Sequence, residues 1–275
     1  MLAIHHRDNS FSVKWIEYCK TNDIKYKLVD CYSTNIIADL KGCHALMWHW
    51  YHNNYKAQLF ARQLIISVEK MGLKVFPNTN TVWHFDDKLG QKYLFEALDA
   101  PLIKSYLFYD LKTSLSWIKK TQFPKVFKLR SGAGSSNVKL LKSKSEAIKY
   151  AKKAFSKGFT SGRFEALRER IWHFQRDKDI KSFINISRGI VRILFPNKVK
   201  NNLQIEKNYF YIQDFIPNND SDIRIIVIGN RAFAIKRMVR DGDFRASGSG
   251  NIIYNPEEIP KECIKIAFKI FLKFY

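Results

Sequence analysis

The first 76 residues alternate short apolar runs with longer amphipathic ones, and this alternation restricts the fold more than any other feature of the chain. Met1–His6, Tyr26–Asp30, Ala45–His49 and Lys74–Phe76 have the length and composition of strands. Phe11–Asn22 and Tyr55–Met71 carry a helical period, with Phe11, Trp15 and Cys19 on one stripe of the first. Strands separated by helices pair in parallel, because each crossover brings the chain back to the same end of the sheet. The segment therefore predicts a small parallel sheet with helices on its faces. No G-x-G-x-x-G follows the first strand, so the unit carries no dinucleotide fingerprint.

Pro77-Asn78 breaks this pattern, and a mixed α+β body is expected after it. Phe85–Leu98 reads as a helix with Asp86 and Asp87 in its first turn, ended by Pro101. A strand around Tyr106–Phe108 and a helix over Leu111–Lys120 lead to the apolar run Val126–Leu129. Val138–Leu141 is the returning strand, and Ser143-Lys-Ser-Glu146 is a capping box that opens the helix Glu146–Phe155. Further on, Tyr209–Phe215 reads as a strand. Ile223–Ile228 and Ala232–Arg237 form a hairpin around Gly229-Asn230. A polar loop over Asp241–Asn251 and a final helix over Glu262–Phe274 complete the chain.

Between the strands at 126–129 and 138–141 lies the loop Ser131–Asn137, which holds Ser131, Gly132, Gly134, Ser135 and Ser136. Glycine lets backbone N–H groups converge on phosphate oxygens, and a strand-borne lysine such as Lys128 adds a point charge for the same anion. A hairpin with a solvated lysine is the competing reading of that stretch. If the loop binds phosphate, it is expected to act as a closing lid.

The net charge of +22 favours an anionic partner: nucleic acid, a phosphate-rich ligand or an anionic surface. Lys139–Lys207 alone holds 18 basic and 6 acidic residues, and Arg168, Arg170, Trp172 and Arg176 interleave bases with an aromatic ring. The four cysteines form no C-x-x-C pair and the chain has no apolar run of membrane-spanning length, which points to a reduced, cytoplasmic protein. His44, His49 and His52 lack the carboxylate or cysteine spacing of a metal site and read as strand-end and loop histidines.

Four patches in sequence resemble the ATP-grasp superfamily, nearest to the ribosomal-protein glutamate ligase and glutathione synthetase branch of the carboxylate–amine ligases. They are Phe76-Pro-Asn78 with Asp87-Lys88; Val126-Phe-Lys128 with its Gly/Ser loop; Ile212-Gln-Asp-Phe-Ile216; and Asp222-Ile-Arg224 through Gly229, Ala234-Ile-Lys-Arg237 and Asp243-Phe-Arg245-Ala-Ser247. The resemblance implies an ATP-grasp fold in the α/β class, with a Rossmann-like domain over 1–76 ahead of a body over 77–275. That body comprises a first lobe (77–156), a basic insertion (157–207) and a second lobe (208–275). It further implies that Lys88 and Lys128 bind the α and β phosphates, with Ser131, Gly132, Gly134 and Ser135 closing over them. The backbone of Gln213, Asp214, Phe215 and Ile216 would meet the adenine edge, with Asp214 toward the ribose through a water. Asp222 and Ser247 would lie near the nucleotide, and Arg237 and Arg245 would face the γ-phosphate and an acyl-phosphate. The family's Mg²⁺ carboxylates have no match here; they are expected beyond Tyr275, in a longer form of the chain.

The resemblance thus implies ATP-dependent amide formation between a carboxylate and an amine, with ATP and Mg²⁺ as cofactors. The expected partners are ATP/ADP and an anionic substrate pair, and a homodimer is allowed. An amino acid joined to a uronic acid of a surface polysaccharide and a peptide C-terminus are both open as substrates. The alternatives are a basic nucleic-acid-associated protein and an ATP-grasp protein that binds nucleotide without chemistry.

Overall fold

The structure is a computed structural model that describes residues 1–8, 10–50, 54–131, 137–160, 170–171, 174, 184–187, 205–240 and 242–274. The described chain forms two compact units, one over Met1–Phe85 and one that begins at Asp86.

In the first unit β1 (Leu2–His5), β2 (Tyr26–Val29), β3 (Ala45–Met47) and β4 (Lys74–Phe76) form one sheet of order β2-β1-β3-β4, parallel throughout. The helices α1 (Phe11–Thr21) and α3 (Tyr55–Lys70) supply the crossovers that the sequence pattern requires. Two four-residue helices escape that pattern: α2 (Ile36–Asp39) and α4 (Thr79–Val82). Each is about one turn, too short to show a period. The core gathers Leu46, Trp48 and Trp50 with Ala61, Ile65 and Val68 of α3. The Trp48 ring stacks on Phe60 at 5.5 Å.

The second unit is built on an antiparallel sheet of β5 (Ser105–Phe108), β6 (Lys125–Lys128), β7 (Val138–Leu141) and β10 (Phe210–Asp214), in the order β5-β10-β6-β7. The strand from late in the chain is thus inserted between two early ones, with Gln213 opposite Ser105 on one side and Val126 on the other. Side chains alternate across a strand. One face carries Tyr106, Phe108, Lys125, Phe127, Phe210, Ile212 and Asp214. The helices α6 (Leu111–Lys120) and α7 (Lys144–Ala154) cover it, with Ile118, Ala147 and Ala151 fully buried among Phe127, Phe210 and Ile212. The opposite face carries Ser105, Val126, Lys128, Tyr211 and Gln213.

Ahead of this sheet, α5 (Lys88–Ala97) starts three residues later than the sequence pattern suggests. Asp87 is its N-cap, accepting from the N–H groups of Leu89 and Gly90 at 3.1 and 3.0 Å, rather than a first-turn residue. Ser143 caps α7 in the same way at 3.3 Å, while Glu146 reaches back to the Lys142 N–H at 2.6 Å, one residue before the usual capping-box donor. A two-stranded pair missed by the sequence pattern joins β8 (Phe159–Thr160) to β9 (Ile205–Glu206). It passes so close to Gly158, at φ +69°, that a Cβ there would meet the Glu206 carbonyl oxygen at 2.8 Å. A third sheet, β11-β12-β13, contains the hairpin β11 (Ser221–Ile228) and β12 (Arg231–Met238) around Gly229-Asn230, with the short β13 (Ile252–Ile253) beside it. The helix α8 (Lys261–Phe274) packs on β11.

Candidate functional site

Lys128 ends β6 on the sheet face away from α6 and α7, where its ammonium donates to Gln213 Oε1. Burial, with the nearby charge of Lys88 in second place, pulls the Lys128 amine down to about 8. Lys88 opens α5 directly behind its Asp87 cap. Its backbone N–H donates to the Arg130 carbonyl at 3.1 Å, and Asp87 bridges to Ser131, so the helix start is sewn to the end of β6. Burial lowers the Lys88 amine too; Asp86 and Asp87 oppose the shift, and the guanidinium of Arg224 on β11 adds to it. Lys88 therefore feels Arg224 and is itself felt by Lys128, so cations from three elements of the second unit are linked through it. Such proximity costs free energy unless an anion enters among them.

The base of the glycine-rich loop is anchored through a buried carboxylate. Ser131 Oγ donates to Glu206 Oε1 at 2.5 Å, Tyr209 Oη donates to Glu206 Oε2 at 2.8 Å, and the Arg130 N–H donates to Tyr209 Oη at 2.7 Å. Glu206 is only 4% exposed, and burial, with the Glu206 charge second, raises the Tyr209 phenol. On the far side Asn137, at φ +65°, donates from its side chain to the Ser131 carbonyl at 3.0 Å. Gly132, Gly134 and Ser135, and with them the expected lid, lie outside the described residues.

The strand β10 divides its last residues between the two faces of the sheet. Gln213 points to the Lys128 face and is buried, whereas Asp214 points to the helix-covered face and accepts from Lys125 Nζ at 2.6 Å. The Asp214 carboxylate thus stands on the opposite side of the sheet from Lys128, and its backbone N–H donates to the Lys104 carbonyl at 2.9 Å. Phe215 and Ile216 follow the end of β10, outside its ladders, and the Phe215 ring meets Phe244 at 6.0 Å. On the hairpin, Asp222 and Arg237 face each other across the strands and join in a two-pronged pair with both N···O distances 2.7 Å. Arg245 is clamped on Asp243, its Nε 3.0 and 2.9 Å from the two carboxylate oxygens.

Ser105, Glu206, Arg240 and the Gly248 that packs on it lie outside the motifs of the sequence pattern, which point to Gln213 by its backbone alone; Arg224 stands in the Asp222-Ile-Arg224 motif without an assigned role. Arg240 is 3% exposed, donates from Nε to the Ser247 carbonyl at 3.0 Å, and stands where a Cβ at Gly248 would fall 2.4 Å from Nη2. It pins the loop that carries Arg245 and Ser247. The period-2 alternation of Phe210–Asp214 was a usable signal for Gln213, because it separates Gln213 from Asp214 by face. Glu206 had none, being a lone acid in a basic stretch. His44 is exposed at the start of β3, His49 lies 4.6 Å from the Phe11 ring and 3.4 Å from Ser10 Oγ, and His52 lies outside the described residues.

Residues 165–272 match the family model described as a RimK-like ATP-grasp domain, so the match begins inside the basic stretch 157–207 that the sequence pattern set apart. A comparison with curated proteins finds no match. Among solved structures, a RimK-domain ATP-grasp protein from Sphaerobacter thermophilus is 15% identical with a TM-score of 0.54, covering 99% of this chain and 81% of that one. D-alanine–D-alanine ligase from Bacillus anthracis, complexed with ATP, is 12% identical with a TM-score of 0.55, covering 100% of this chain and 76% of that one. The biotin carboxylase domain of Hydrogenobacter thermophilus 2-oxoglutarate carboxylase, complexed with MgADP and bicarbonate, is 12% identical with a TM-score of 0.59 and coverages of 99% and 58%. Parallel-sheet unit, inserted-strand sheet and hairpin body together give this chain the ATP-grasp fold, with residues 165–272 matching a RimK-like ATP-grasp domain.

Proposed function

We propose that this chain is an ATP-dependent ligase that joins a carboxylate to an amine through an acyl-phosphate. The observation that carries the reading is that the charge of Lys88 acts on Lys128 and that of Arg224 on Lys88, with both lysines buried enough to lose proton affinity, on an ATP-grasp fold. In such a reaction ATP supplies the phosphoryl group that turns a carboxylate oxygen into a leaving group, and the amine then displaces phosphate.

The residues divide the work by position. Lys128 and Lys88 hold the α and β phosphates, where a partly desolvated ammonium is worth more than a solvated one. Ser131, Gly132, Gly134 and Ser135 close over the same oxygens. Phe215 and Ile216 offer backbone groups to the adenine edge, since they lie past the ladder that occupies Gln213. Asp214, its carboxylate tied to Lys125 and its N–H to the Lys104 carbonyl, is held in the sheet and leaves the adenine edge to the two residues after it. Arg237 and Arg245 meet the γ-phosphate and the acyl-phosphate; Asp222 and Asp243 orient their guanidinium forks until that anion arrives. Ser247 stands in the loop pinned by Arg240. Magnesium is expected with the nucleotide, but among the described residues no three His, Cys, Asp or Glu side chains cluster to hold it, and no role above is routed through it.

The substrate pair is anionic in this reading, in keeping with the net charge of +22. An amino acid with a uronic acid, or with a peptide C-terminus, fits that chemistry. A cytoplasmic setting agrees with four free cysteines and with the lack, among the described residues, of a helix long and apolar enough to cross a membrane. Calorimetric titration with ADP, with and without Mg²⁺, tests the site, and ADP release with amino acids plus uronic acids or peptides tests the chemistry. Absence of binding at millimolar nucleotide in both conditions overturns the reading. If nucleic acid binds instead, with affinity falling steeply in salt, the basic binding protein replaces it.

A further inference from the structure

A chain of polar groups runs across the face of the β5-β10-β6 sheet toward Lys128, through atoms that the ligase reading leaves without a role. Ser105 on β5 stands directly opposite Gln213 on β10, and Gln213 lies diagonally across from Lys128 on β6. The Gln213 amide nitrogen donates to Ser105 Oγ at 3.0 Å and points at the Ile103 carbonyl at 3.5 Å. Its amide oxygen accepts from the Lys128 ammonium. Ser105 Oγ donates to the Ile103 carbonyl at 2.8 Å and accepts from Tyr211 Oη at 3.2 Å. Ser105, Tyr211 and Gln213 are all buried.

This arrangement admits one orientation of the Gln213 amide. A flipped amide would set its NH₂ against the ammonium, donor to donor, and its oxygen against the Ile103 carbonyl, acceptor to acceptor. The choice of glutamine also has a reason. A neutral oxygen directs the ammonium and favours its charged form without cancelling the charge, whereas a carboxylate would neutralise it. We infer that Ser105 and Gln213 are positioning residues for Lys128: Ser105 locks the Gln213 amide so that its oxygen fixes the direction and the charge of the ammonium offered to an anion. The identity of that anion as a nucleotide phosphate rests on the ligase reading; the lock itself does not.

Burial and Lys88 already draw the Lys128 amine down to about 8, so loss of the Gln213 oxygen would lower it further. Of the other charges nearby, Asp86, Asp87 and Arg224 act on Lys88.

Two readouts test the lock. The first, without nucleotide, is the pH dependence of Lys128 acetylation by limiting acetic anhydride, read by mass spectrometry from pH 6.5 to 9.5. The second is ADP affinity over the same range. For Ser105→Ala the Lys128 titration is expected to move to lower pH, and ADP affinity at pH 8 to fall about three- to tenfold. Ser105→Thr, which keeps the hydroxyl, restores both. Gln213→Leu moves the titration further in the same direction. Gln213→Glu, of unchanged size, moves it to higher pH and still weakens ADP, a combination that a purely structural role does not produce. An unchanged Lys128 titration in Ser105→Ala and Gln213→Glu overturns the proposal, as does Ser105→Thr behaving like Ser105→Ala. If the unaltered protein fails to bind ADP, the ligase reading falls while the acetylation profile still decides on the lock.

Discussion

Replacing Lys128 by methionine is expected to make the protein more stable and its nucleotide binding weaker. An ordinary lysine titrates near 10.5 and this one at about 8, so the folded chain holds the ammonium at a cost of about 3 kcal/mol whenever the pH is below 8. Methionine keeps the aliphatic stem and removes that cost, while leaving the Gln213 oxygen without its donor, worth about 1 kcal/mol. The net gain is then about 2 kcal/mol at pH 7. The sign with pH follows from linkage. The unfolded lysine holds its proton up to about 10.5 and the folded one only to about 8, so the penalty is full below 8 and gone above 10.5. The stability advantage of Lys128→Met should therefore shrink as pH rises through that window. Nucleotide affinity moves oppositely: a lost charge-assisted contact of about 1.5–3 kcal/mol weakens ADP about ten- to a hundredfold at pH 7. Thermal melts at pH 7 and 10, with ADP calorimetry at pH 7, measure both. Lys142→Met, at an exposed residue just past β7, is the control for diffuse charge. Destabilisation at pH 7, or an equal loss of ADP affinity in the control, refutes the argument.

Other substitutions probe the surroundings. Asp87→Ala removes the α5 cap and should lower stability by about 1 kcal/mol, measured by chemical denaturation. Gly158→Ala sets a Cβ against the Glu206 carbonyl at a positive φ and should cost about 1–3 kcal/mol, with ADP affinity tracking the loss of Ser131 anchoring. Arg224→Gln removes the third cation and should raise the Lys88 pKa while weakening ADP about three- to fivefold; an unchanged Lys88 titration would separate Arg224 from the site. Arg240→Lys, which gives up the planar fork at the Ser247 carbonyl, should speed amide exchange in the 242–251 loop while leaving the β11–β12 hairpin protected.

Much of the architecture was legible along the chain because it depends on local period. The parallel unit followed from alternating strand and helix patterns, and α6, β7 and the Gly229-Asn230 hairpin fell where spacing placed them. The one-turn helix α2 and the two-residue strands β9 and β13 stayed invisible, since each is no longer than about one period of its own pattern. The resemblance to the ATP-grasp superfamily rested on motifs in sequence order, and the fold agrees with it.

Which side chains alternate and which loop is rich in glycine can be read along the chain, because both are properties of neighbours. The sequence marked Lys88 and Lys128 as cations suited to phosphate. The folded chain adds that Lys88 stands near both Lys128 and Arg224, that Gln213 rather than Asp214 shares the face of Lys128, and that Glu206 holds Ser131 from 75 residues away. These contacts escape the pattern because β10 enters the sheet between strands laid down about a hundred residues earlier, so the groups it brings to Lys128 are joined by hydrogen bonds across strands and by no pattern along one.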